Sequence, residues 1–155
     1  MLFMGFYEFN IEGVLHSVGT EEDSIRFTSG QPEKNKGDWK WLYFSSNSSI
    51  MAYTVVEYGG GDGDDWQDAN INANNAFLAM QNCRVSHSNK NGIKLFSSDL
   101  TLTESIIHDN SDYGIHVTSN STADISGNDI YNNNDGIYIS SSTADISGND
   151  IYDNS

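Results

Sequence analysis

The ten-residue phrase TADISGNDIY stands at residues 122–131 and again at 143–152. A decapeptide copied 21 positions further on restricts the chain to architectures made of stacked, near-identical units. The phase of the copy extends well beyond the phrase. Gly92-Ile93-Lys94-Leu95, Gly114-Ile115-His116-Val117 and Gly136-Ile137-Tyr138-Ile139 follow one another at intervals of 22. Ile71-Asn72-Ala73 precedes Ile93 by 22, and Leu42-Tyr43-Phe44 precedes Ile71 by 29. The longer step contains GGGDGDDWQDAN, which reads as an inserted loop at 59–69.

Each unit carries further apolar sites. Seven residues after Phe44, Ala73, Leu95 and Ile139 come Met51, Met80, Leu102 and Ile146; Val117 reaches Ile125 in eight. Five residues later come Val56, Val85, Ile107, Ile130 and Ile151. Of these 20 sites, 19 hold large apolar residues and the other is Ala73, so the register is not accidental.

The spacing within a unit separates the possible folds. Apolar residues two apart mark strands, because alternate side chains on a strand share a face. The Ser, Thr, Asn, Asp and Gly between them disfavour helix interiors. A unit of about 22 residues is too short for a propeller blade, and no leucine-rich repeat pattern is present. It fits one coil of a parallel β-helix. Residues 39–155 are expected to form these coils, with 1–38 as an irregular first coil or cap. Stacked at the usual strand spacing of ~4.8 Å, five phased coils make a rod of about 24 Å. One coil alone cannot offset its ordering entropy, whereas a stack can, because each coil closes the hydrogen bonds and apolar faces of its neighbours.

The polar residues also fall into columns. Ser88, Asn110, Asn133 and Asn154 lie three residues after the final apolar site, and Cys83, Ser105, Asn128 and Asn149 lie two before it. Stacked amides hydrogen-bond along a column, and Asn tolerates the left-handed backbone of a tight corner. These residues are therefore expected as ladders, as corner residues, or as both.

Charge bounds the partners. Seven basic residues face 22 acidic ones, a net charge of −15, which repels nucleic acid and anionic membrane surfaces. No run of about 18 apolar residues is present, so no membrane span is expected. Cys83 is the single cysteine, which excludes an internal disulfide. The opening MLFMGFYEFN lacks a basic segment and does not read as a signal peptide.

In this register Asp124 stacks on Asp145 and Asp129 on Asp150. Like charges one coil apart repel, and Ca²⁺ with its preference for carboxylate oxygen would relieve them. Asp62, Asp64, Asp65 and Asp68 in the insertion form a second candidate Ca²⁺ set, alongside a plain solvated acidic face as the simpler reading. No other cofactor is called for. His108, Tyr131 and Tyr152 should form an outward aromatic column, and His116 and Tyr138 share another with Lys94. Exposed rings on a polar rod suit sugar faces, so these five rings are the candidate carbohydrate-binding residues; an ordinary stacked ladder is the competing reading. No residues have the spacing of a catalytic acid–base pair or of a histidine metal set.

With its columns in place, the chain resembles the right-handed parallel β-helix repeat proteins of the pectate-lyase-like superfamily. NGIKLFSSDLTLTESIIHDN, YGIHVTSNSTADISGNDIYNN and DGIYISSSTADISGNDIYDN look like successive copies of that family's repeat. GVLHSVGTEEDSIRFTSG, KGDWKWLYFSSNSS and YTVVEYGG resemble the opening coils of bacterial and archaeal secreted or surface members. Ser24 and Trp41 depart from the pattern, at positions where proline and glycine are usual. The resemblance implies an all-β, right-handed parallel β-helix and a secreted or cell-surface location. It leaves activity open, since the superfamily holds lyases, hydrolases, adhesins and metal-delivery proteins. Of the hydrolase motifs N-T-D, D-D, G-H-G and R-I-K, only a D-D is present, at Asp64-Asp65. Neither Arg26 nor Arg84 falls within a set of acids like that of the lyases.

The expectation is a non-catalytic structural or adhesive segment that binds polysaccharide or cell-surface glycan. The alternative is part of a polysaccharide lyase or glycoside hydrolase whose catalytic residues lie elsewhere. Four residues follow Ile151, with no cap. The chain therefore reads as a piece of a longer one, its open C-terminal end expected to meet its own continuation or another copy.

Overall fold

The computed structural model describes residues 1–46, 48–61 and 68–155. Every regular element among them is a β-strand, and all sixteen strand pairings are parallel. The strands form three walls of a parallel β-helix. The first wall has six: Phe9–Ile11, Leu42–Phe44, Ala69–Asn74, Asn91–Phe96, Tyr113–Thr118 and Asp135–Ser140. The second also has six: His16–Val18, Ser49–Ala52, Phe77–Gln81, Asp99–Thr103, Thr122–Ser126 and Thr143–Ser147. The third has seven: Leu2–Phe3, Ile25–Ser29, Thr54–Glu57, Arg84–Ser86, Ile106–His108, Asp129–Tyr131 and Asp150–Tyr152.

The apolar columns stack in the expected register. Leu42, Ile71, Ile93, Ile115 and Ile137 follow one another along the first wall. Met51, Met80, Leu102, Ile125 and Ile146 do so along the second, and Val56, Val85, Ile107, Ile130 and Ile151 along the third. Ile71, Ile93, Ile107, Ile115, Ile125 and Ile130 are fully buried. Each such side chain contributes roughly 1.5–3 kcal/mol by leaving water. In the last coil Ile139, Ile146 and Ile151 keep their columns but are 39%, 44% and 47% exposed, because that coil has a neighbour on one side only.

Residues 1–38 supply strands to all three walls and so form a coil in register with the rest. Phe3, on the edge strand of the third wall, stacks flat on Trp39 at 4.1 Å, and both are core residues. Trp39 Nε1 donates to the Glu57 carbonyl at 2.9 Å, satisfying the one polar group of a wholly buried indole.

The corners divide two tasks expected of one residue. The left-handed backbone falls on the residue before the ladder residue: Asp109 before Asn110, Asn132 before Asn133, Asp153 before Asn154. In the other column it falls on Asn82 before Cys83, Glu104 before Ser105, and Gly127 before Asn128. That residue turns the chain, and the next side chain points inward to the corner. Asn110 Nδ2 donates to Asn133 Oδ1 at 2.9 Å, and Asn128 Nδ2 to Asn149 Oδ1 at 2.8 Å. Where serine replaces asparagine, the hydroxyl still accepts from the coil before, as from Cys83 N to Ser105 Oγ at 3.0 Å. A third ladder of serines, absent from the sequence reading, closes the remaining corner: Ala76 N donates to Ser98 Oγ, Ser98 N to Ser121 Oγ, and Ser121 N to Ser142 Oγ.

Candidate functional site

The outward aromatic columns assemble along the edge where the third wall turns into the first. His108 stacks on Tyr131 at 5.0 Å and Tyr131 on Tyr152 at 5.1 Å, each pair nearly parallel. On the other side of the edge Tyr113 stacks on Tyr138 at 4.7 Å, while His116 meets both edge-on at 5.0 and 5.2 Å. Lys94, His116 and Tyr138 are neighbours in one column, as expected. All five candidate carbohydrate residues thus lie in two ring groups flanking one edge.

Three rings in these groups were missed from sequence. Tyr113 sits at a strand start, outside the alternation that flagged His116. Tyr58 and His87 extend the long column upward, stacked at 4.8 Å, with His87 edge-on to His108 at 5.7 Å. They occupy the left-handed corner position, one residue later than His108, Tyr131 and Tyr152, so a search at constant spacing passes over them.

The two ends of this edge differ. The loop 30–38 crosses its upper part: Lys34 Nζ lies 5.3 Å from the Tyr58 ring centre, and Lys36 Nζ donates to Ser111 Oγ at 3.1 Å. In the stacked middle the rings cover one another's faces, and the His108 side chain is only 14% exposed, with Nδ1 2.6 Å from Asp109 Oδ2. At the lower end Tyr138 and Tyr152 are 43% and 47% exposed. A ring with an open face can stack on the apolar face of a sugar; one sandwiched in a ladder cannot. Partial desolvation, then Asp129, Tyr131, Asp153 and Asp150, raise the Tyr152 phenol above its ordinary range.

The acidic columns stack as expected: Asp124 beside Asp145 and Asp129 beside Asp150, all four exposed. Among the described residues no three His, Cys, Asp or Glu side chains are grouped as a metal-binding set. Of the insertion candidates, Asp62, Asp64 and Asp65 lie outside the described residues. Asp68 is buried at 1% exposure, and its carbonyl accepts the Asn91 side-chain amide at 2.8 Å.

The two arginines, which the sequence left unplaced, converge. Arg26, Lys34 and Arg84 lie 3.8, 3.6 and 3.7 Å from the Glu57 carboxylate, which also accepts Thr28 Oγ1 at 2.9 Å. Glu57 is 8% exposed, a nearly buried carboxylate facing three cations. The cluster ties three coils and the 30–38 loop together on the outer face of the third wall. Buried in the nearby corner is Cys83, whose thiol is pushed up to about 11 by burial, against weaker hydrogen bonds to Thr54 and Gln81. It is an inert thiol at neutral pH.

A family model described as "Right handed beta helix region" matches residues 64–155. No curated protein and no solved structure matches the chain.

Proposed function

The chain belongs to the right-handed β-helix family, and from that premise we propose that it is a non-catalytic segment of a secreted or cell-surface protein, structural or adhesive, that binds carbohydrate at the lower end of its aromatic edge. One observation carries this reading: Tyr138 and Tyr152 present open rings on the two flanks of a single edge, each backed by a partner ring that holds it in place. Rings fixed in advance lose little entropy when a sugar stacks on them. Asn134, Asp135 and Asp153 on the same edge supply acceptors and amide donors for hydroxyl groups. The likeness of the repeats to those of secreted and surface proteins supports the location.

A Ca²⁺ ion bridging the Asp124–Asp145 or Asp129–Asp150 pair belongs to the same reading, as does coverage of the half-exposed Ile139, Ile146 and Ile151 by a further β-coil, whether of the same chain or of another copy.

Incubation with a panel of insoluble and soluble polysaccharides, with assays for new reducing and unsaturated ends, tests the proposal. Binding without cleavage, weakened in Tyr138→Ala and Tyr152→Ala, is the expected result. Chain cleavage would establish instead the reading as part of a lyase or glycoside hydrolase.

A further inference from the structure

We propose that a second ligand groove, on the opposite side of the third wall from the aromatic edge, binds one residue of a neutral, hydroxyl-rich glycan. The groove has a volume of about 380 Å³ and runs between the loop 19–24 and the corner that joins the second wall to the third. Its size is that of a small-ligand pocket. None of its residues belongs to the aromatic edge, and the proposal does not rest on that site.

The groove is built by one column. Tyr53, Asn82 and Glu104 occupy the left-handed corner position in three successive coils, with φ of 47°, 51° and 49°. The next two coils place Gly127 and Gly148 there, at 67° and 61°. Glycine adopts this backbone freely, whereas a side chain there costs on the order of 1 kcal/mol. The chain carries side chains in the three coils that face the 19–24 loop and glycine where the groove ends. These three side chains line the groove together with Glu21, Arg84 and an apolar floor of Val55 and Ile106.

The overhanging wall is fixed in place. Gly19 N donates to the Ala52 carbonyl at 2.9 Å and Ile25 N to the Tyr53 carbonyl at 3.1 Å, which pins both ends of the loop to one coil. Thr20 and Asp23 close it on itself, Thr20 N to Asp23 O at 3.1 Å and Asp23 N to Thr20 Oγ1 at 3.0 Å. A Cβ at Gly19 would lie 2.8–2.9 Å from the backbone of Tyr53, Asp23 and Ile25, so only glycine allows the loop to sit this close.

The lining selects the ligand. Two carboxylates outnumber one guanidinium, and that guanidinium already faces Glu57, which disfavours an anionic sugar. A neutral polyol satisfies both, its hydroxyls donating to Glu21 and Glu104 and accepting from Arg84 and Asn82, its CH face on Val55, Ile106 and the Tyr53 ring. Glu104 is already oriented by Gln81 Nε2 at 2.9 Å. Arg84 Nε–H is buried with no hydrogen-bond partner among the described residues, and its only ion-pair partner, Glu57, is shared with two other cations. The unpaired Nε–H is therefore the donor that a ligand oxygen can satisfy while Nη2 keeps its contact with Glu57.

The test is saturation-transfer NMR and calorimetry of the whole chain with neutral cello-, malto- and manno-oligosaccharides, and with oligouronates as the charged comparison. Tyr53→Gly and Glu104→Gly install the residue that the following coils use at the same corner, so both variants should fold, with melting within ~3 °C of the parent. The expected result is a neutral-oligosaccharide binding component that each glycine variant weakens about tenfold or more and that persists when the aromatic edge is disabled by Tyr138→Ala and Tyr152→Ala together. Absence of neutral oligosaccharide binding, binding unaffected by both glycine variants, or preference for oligouronates would each overturn the proposal. Loss of all such binding in that double variant would place the sugar at the aromatic edge and refute this groove.

Discussion

Asn154 Oδ1 accepts two hydrogen bonds from Asn133 in the coil before it, from the backbone N–H at 3.0 Å and from Nδ2 at 3.1 Å. Asn133 in turn accepts from Asn110 in the same two ways and gives its amide to the Ile107 and Tyr131 carbonyls. One side chain thus satisfies backbone and side-chain groups of three coils at a buried corner. Asn133→Ala strands several of these groups at once and should cost about 2–4 kcal/mol, lowering the melting temperature by roughly 5–12 °C. Asn154→Ala, at the exposed end of the same ladder, should cost less. Thermal melts of the two variants side by side check the order.

The third-wall column offers a matched pair in the core. Ile130 is fully buried and Ile151, one coil below, is 47% exposed. Ile130→Ala should destabilise by about 2–5 kcal/mol, and Ile151→Ala by roughly 1 kcal/mol or less. Urea denaturation followed by circular dichroism measures both; equal losses would show that the last coil is covered in solution.

Asp145 stands beside Asp124, and among the described residues neither is in a salt bridge. In EDTA at low ionic strength Asp145→Asn should stabilise by about 0.2–1 kcal/mol, the cost of like charges directly opposite on neighbouring strands. The gain should shrink at high salt. Added Ca²⁺ should raise the melting temperature of the parent and raise it less in the variant; an unchanged parent melt rejects the ion.

Acid should weaken the fold through His87 and His116. Burial lowers both imidazoles below their ordinary range; Asp109 opposes this at His87, and Lys94 reinforces it at His116. The unfolded chain then binds protons more readily than the folded one. Stability is fully present above the ordinary histidine value near 6.5 and is lost as pH falls from there through the lowered folded values. Melting should fall between pH 7 and 5, and the fall should be shallower in His87→Gln and His116→Gln.

Cys83 should be silent to thiol reagents at pH 8 in the folded chain, its thiol being held near 11, and should react at once in 6 M guanidinium. Reaction at comparable rates in both conditions would show that the corner opens in the native state.

Much of this architecture was legible because it is encoded along one dimension. A residue in a parallel coil meets the residue about 22 positions on, so Ile93 on Ile115, His108 on Tyr131 and Asp124 on Asp145 all follow from counting. The same logic reached two corner ladders and missed the serine one, since a lone Ser98 or Ser121 does not stand out in a chain rich in serine. It also merged two tasks that steric limits divide between neighbours: the left-handed turn at Asp109 and the inward amide at Asn110.

What counting could not reach are contacts without a period. Lys36 meets Ser111 across 75 residues, and Glu57 gathers Arg26 and Arg84 from the coils on either side and Lys34 from a loop. The 19–24 loop makes a groove only where it folds back over Tyr53, Asn82 and Glu104. Coil register, buried faces and stacked columns were therefore determined by the sequence alone, because hydrogen bonding between adjacent coils forces equivalent residues together. Which long connection lies over which column, and so where a ligand could sit, was decided only in three dimensions, because no repeat constrains a loop that occurs once.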